Sequence, residues 1–150
     1  MEILIPKLKP TDKQQVVIYY TNTILNPNKS AVLLRISLDD EFTKIDFLYQ
    51  ACNKYINGGW VQIHDTCFIK PCGTNIKLKM ITAINITIAP KKHFFKRKTD
   101  MLCYTLIFPP LPKGTEKIDI IEMETNDPSF FNFYGISMDQ IRTEKIITSN

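Results

Sequence analysis

Residues 91–98 read KKHFFKRK. Lys91, Lys92, Lys96, Arg97 and Lys98 supply positive charge, and His93, Phe94 and Phe95 lie between them. Cations interleaved with aromatic rings can neutralise phosphates and stack bases. The same set can dock on an acidic protein face. The ordinary alternative is a solvated loop whose phenylalanines fold back onto the core. Two further aromatics are candidate binding residues. Trp60 follows an Asn-Gly-Gly turn and is either an exposed anchor or a core residue between two sheets. Tyr134 sits in FFNFYGIS, where core and edge packing competes with a role as a ligand platform.

The remaining reactive side chains form weaker sets. There are four cysteines, Cys52, Cys67, Cys72 and Cys103. Cys67 and Cys72 are too widely spaced for a zinc knuckle and lack a second ligand pair. His64 and His93 match no ligand signature, so no metal site is expected. A Cys67–Cys72 disulfide would need close Cα atoms across the turn between them. Free thiols are the expectation. Cys103 with His64 is a conceivable nucleophile–base pair, but that pairing needs spatial adjacency. The ordinary place for Cys103 is the core, as a small hydrophobe. Asp119 and Glu122 lie on one strand and point to opposite faces, which makes a poor acid–base couple. No serine-hydrolase elbow, phosphate-binding loop or HExxH helix occurs. No catalytic residue and no cofactor is expected, and the chain reads as a non-enzyme.

The elements that must position these groups read mostly as strands. A chain of 150 residues suits one domain, spanning residues 1–150, and can bury a core without staples. Hydrophobic residues make up 44% and charged residues 23%, which excludes disorder across the chain. The net charge of +4 is mildly basic, short of a dedicated nucleic-acid binder. The first residues, MEILIPKLKPTDKQQ, hold no apolar signal core, and no stretch has the length of a membrane helix. Taken as complete, the chain is expected to be soluble and cytoplasmic, with no membrane insertion. Taken as a mature fragment, it would be periplasmic or secreted.

Strands are expected at 15–20, 31–38, 60–69, 102–108, 117–123 and 130–138, from β-branched and aromatic runs. Residues 76–88 are long enough to bend or split in two. Residues 39–56 fit a helix face through Phe42, Ile45, Leu48, Cys52 and Tyr55, or a strand through Ile45, Phe47, Tyr49 and Ala51. The strand, at 44–51, agrees better with its neighbours. NGG at 57–59 is a hairpin turn signal. Residues 90–100 read as a basic loop. In FPPLPKG (108–114), the prolines stop a strand, Leu111 is free to plug the end of the core, and Gly114 permits a reversal. Residues 1–14 read as an N-terminal arm, and 139–150 as a tail forming a short helix or an edge strand. The pattern predicts an all-β, antiparallel, immunoglobulin-like β-sandwich of about seven to nine strands, with room for one short helix.

The set NGGWVQI (57–63), INITIAPKKHFF (84–95), FPPLPKGTEKIDIIE (108–122) and FFNFYGIS (130–137) resembles a family of uncharacterised β-sandwich domains common in Bacteroidetes. The likeness runs from Ile45 to Ser137. It implies an immunoglobulin-like accessory or interaction module without catalytic activity, in which PKKHFF is an ordinary feature of the fold. The expected role is therefore binding of another protein, through a sheet edge, the basic loop or the aromatic C-terminal strand. The alternative is a small nucleic-acid-binding domain that uses residues 91–98.

Overall fold

The structure is a computed structural model that describes residues 15–25, 31–138 and 142–147. The expected arm at 1–14 lies outside the described residues. Twelve strands occur among those described: β1 (Gln15–Leu25), β2 (Ala31–Leu38), β3 (Thr43–Gln50), β4 (Trp60–Val61), β5 (Phe68–Pro71), β6 (Leu78–Lys79), β7 (Thr82–Ile84), β8 (His93–Phe94), β9 (Met101–Phe108), β10 (Lys117–Ile121), β11 (Phe133–Ser137) and β12 (Arg142–Ile147). They form a six-stranded sheet in the order β12-β1-β2-β3-β9-β7, a four-stranded sheet in the order β11-β10-β5-β6, and a two-stranded ribbon β4-β8. Every paired strand runs antiparallel to its neighbour.

Period-two alternation decides what each strand buries. In β3, Thr43, Ile45, Phe47 and Tyr49 face inward, and in β9 so do Leu102, Tyr104, Leu106 and Phe108. In β2 the parity changes: Ala31 and Leu33 are buried, then Ile36. A register shift between Leu33 and Arg35 supplies the extra residue, as a bulge does. The smaller sheet contributes Ile69, Ile118, Ile120, Phe133 and Ile136 to the same apolar cluster. The Phe47 and Phe133 rings meet across the gap at 5.5 Å, and Tyr49 meets Phe131 edge-on at 5.5 Å. Two antiparallel sheets thus close over one core.

Several expectations change. There are more than seven to nine strands, because long runs break into short pieces that serve different sheets. Residues 76–88 divide into β6 and β7, one in each sheet. The expected strand at 60–69 keeps only its two ends. Between them the chain turns, with the Cys67 amide donating to the His64 carbonyl at 3.2 Å. Pro71, read as a turn residue, ends β5. No helix forms among the described residues, and the tail supplies an edge strand beside β1. Residues 44–51 are strand, since β3 spans almost all of them. The NGG segment does turn, but it makes no hairpin between β3 and β4. Both edges of β3 are already taken, by β2 and β9, so Trp60 pairs with Phe94 instead. Leu111 packs against the core, and Gly114 has φ +83°.

Candidate functional site

The basic segment is less of a loop than its composition suggests. His93 and Phe94 pair with Val61 and Trp60. The Phe95 amide donates to the Gly59 carbonyl at 3.0 Å. Phe95 is buried and stacks on Tyr49, with ring centroids 5.7 Å apart. Alternation then turns Phe94 outward, and it is 68% exposed. One phenylalanine is core and the other is surface.

Residues 96–100 form a tight turn around one carboxylate. Asp100 Oδ2 accepts the amides of Lys96 and Arg97, each at 3.1 Å, and Oδ1 accepts Arg97 Nε at 3.2 Å. Partial burial pushes the Asp100 pKa up, but the hydrogen bonds from Arg97 and Lys96 and the charge of Arg97 outweigh it and hold it below the usual range. Lys92 Nζ lies 4.4 Å from the centroid of the Trp60 ring, a cation–π contact.

Trp60 itself is 43% exposed. Of its two expected places it takes the exposed one, while Val61 and Ile63 are buried. Tyr134 is exposed on β11, in a cleft with Lys70, Lys77 and Asp119. Trp60 lines a different cleft, so the two candidate aromatics do not form one platform. Cys103 is exposed on β9, because Leu102 and Tyr104 take the inward positions; it is neither core nor beside His64. The four thiols are unpaired with one another. Cys67 is buried, and burial, with the Glu122 charge nearby, pushes its pKa far up.

The arrangement not anticipated from the sequence lies around Glu122, which is 2% exposed. Its Oε1 accepts the Phe131 amide at 2.8 Å, and its Oε2 accepts the His64 amide at 3.0 Å. His64 Nδ1 lies 2.9 Å from the same Oε2. An acceptor-only carboxylate therefore meets a converging set of N–H donors. Asn132, also buried, braces the backbone alongside. Its Oδ1 accepts the amides of Glu122 at 2.8 Å and Met123 at 3.3 Å, and its Nδ2 donates to the Met123 carbonyl at 2.8 Å. Thr66 Oγ1 donates to the Glu122 carbonyl at 2.8 Å. This node ties the turn at 64–67 to the segment after β10 and to the start of β11. Asp119 does point the other way, where its Oδ1 accepts the Gly135 amide at 2.8 Å.

A cleft of about 470 Å³ joins the two regions. Trp60, beside the ribbon, and His64 and Glu122, of the buried node, all line it. Tyr49, Tyr55, Phe130 and Phe131 make up the rest of its aromatic wall. Gln62 also lines it, and its Oε1 is buried with no hydrogen-bond partner among the described residues. No family model, curated protein or solved structure matches this chain.

Proposed function

We propose that this protein is a non-catalytic interaction module that binds an acidic partner protein through the β4–β8 ribbon. One observation carries the reading. Trp60 and Phe94 are cross-strand neighbours, and both are exposed on the same short ribbon. Tyr55 and Ile56, in the preceding loop, are exposed as well. Lys91, Lys92, Lys96 and Lys98 are exposed around them. An aromatic centre with a charged rim is the usual anatomy of a protein interface. The rim's sign selects an acidic counterpart and speeds encounter more than it deepens affinity. The immunoglobulin-like form of the sandwich belongs to this proposal. It is supported by crossings of the chain from β3 to the smaller sheet and from β9 to β10.

The same surface suits a second reading, because an exposed Phe94 among lysines can also stack bases. A pull-down of tagged protein from native lysate separates the two, run with and without nuclease at low and moderate salt. A discrete protein that survives nuclease and moderate salt, and is lost in a Trp60→Ala/Phe94→Ala variant, supports the module. Nucleic acid that is lost steeply with salt, and lost when Lys91, Lys92, Lys96, Arg97 and Lys98 are neutralised, overturns it in favour of phosphate binding.

A further inference from the structure

The cleft beside the ribbon has a chemistry of its own. Five aromatic side chains wall it: Tyr49, Tyr55, Trp60, Phe130 and Phe131. Aromatic faces carry a negative quadrupole and attract cations. Its one carboxylate, Glu122, is buried and meets no lysine or arginine among the described contacts. Gln62 Oε1 is buried without a partner among the described residues, so it lacks a donor. His64 Nδ1 lies against Glu122 Oε2, which leaves Nε2 as the ring's other polar atom. A carboxylate, an amide oxygen without a partner among the described residues and several π faces thus line one cleft.

We propose that this cleft binds a small organic amine, with the ammonium group against the Glu122–His64–Gln62 side and an apolar ring among the aromatic walls. Its volume of about 470 Å³ lies within the range of ordinary ligand sites, which runs from about 300 to 1,000 Å³. Lys92 does not argue against a cation. It is exposed, so solvent and salt screen its charge, whereas the Glu122 carboxylate is buried and screened far less. Its seat over the Trp60 ring demonstrates that this indole accepts a cation. The proposal shares Trp60 and Tyr55 with the partner-binding surface but does not depend on that reading, because Glu122, Gln62, Phe130 and Phe131 carry it.

Trp60 is the only tryptophan in the chain, so its fluorescence reports occupancy directly. The probes are benzylamine, its neutral counterpart benzyl alcohol, and the anion benzoate, each titrated by Trp60 fluorescence and by calorimetry. Benzylamine is expected to saturate and to bind roughly tenfold more tightly than benzyl alcohol, with benzoate weakest. Phe130→Ala and Gln62→Leu each weaken benzylamine severalfold while circular dichroism stays unchanged. Glu122→Gln removes the charge and erases the preference for amine over alcohol; if that variant does not fold, the ratio in the natural protein decides. Equal affinity for amine and alcohol, a preference for benzoate, or binding undiminished in Phe130→Ala would each overturn the proposal. So would the lack of saturable binding by about 10 mM.

Discussion

The basic turn at 91–100 and the node around Glu122 handle charge in opposite ways. The turn gathers Lys91, Lys92, Lys96, Arg97 and Lys98 within eight residues, all exposed. Only Asp100 and the Trp60 ring engage any of these cations in the contacts described. The node has one carboxylate, and its two oxygens receive two backbone amides and a histidine nitrogen in a buried setting. Charge density along the sequence therefore says little about where charge matters to the fold. Burial decides, because a solvated cation is screened and a buried carboxylate that loses its donors is not.

Glu122→Ala tests this contrast most severely. It leaves the amides of His64 and Phe131 without acceptors in a buried place. We expect a loss of about 3–5 kcal/mol in unfolding free energy, the scale of breaking a buried charged network. Neutralising all five cations of the turn together should leave the urea midpoint close to that of the natural protein. A larger shift from the turn than from Glu122 would reverse the comparison.

Gly58→Ala should follow in size, because it acts where the NGG loop and the basic turn touch. A Cβ there would meet the Arg97 carbonyl oxygen at 2.6 Å and Ala51 Cβ at 2.8 Å, on a backbone with φ +88°. Left-handed strain and overpacking together predict a loss of about 2–4 kcal/mol. Gly114→Ala is the matched control: φ is +83°, yet nothing lies within 4 Å of the added carbon. It should pay the backbone strain alone, about 1–2 kcal/mol. Equal losses at the two positions would show that the loop yields and that Gly58 is not a fixed contact.

The sequence carried part of this contrast. Inward parity in β3 and β9 was legible, because each keeps strict alternation along its length. Asp119 and Glu122 were expected on opposite faces and do point apart, but alternation did not mark the carboxylate as buried, because Ile120 and Ile121 are both buried just before it. What binds Glu122 was not legible. His64 lies 58 positions away, on a turn that interrupts an apparently continuous strand. Which of its two expected places Trp60 takes was not legible for a related reason. The NGG turn was plain, but the partner of the next strand depended on whether β3 had a free edge, which is a property of the whole sheet. The bulge in β2 was hidden too, since an extra residue shifts parity without changing composition.

The smallest effect belongs to the turn's own carboxylate. Asp100 holds the amides of Lys96 and Arg97, and its pKa is lowered in the folded state. A carboxyl whose pKa is depressed by folding stabilises above its unfolded value, about 3.9, and that contribution fades as pH falls through the lower folded value. The Lys96 and Arg97 amides should therefore keep their hydrogen-exchange protection at pH 5 and lose it progressively below about pH 4. Asp100→Ala should remove that protection at both pH values and leave the global midpoint unchanged, because the residue acts on an exposed turn. The Ala51 amide, which donates to the Asp100 backbone carbonyl at 2.9 Å, should stay protected in the variant. Its loss would mean that the turn and the core strand open together, and the line drawn between a solvated cluster and a structural node would then have to move outward to include Asp100.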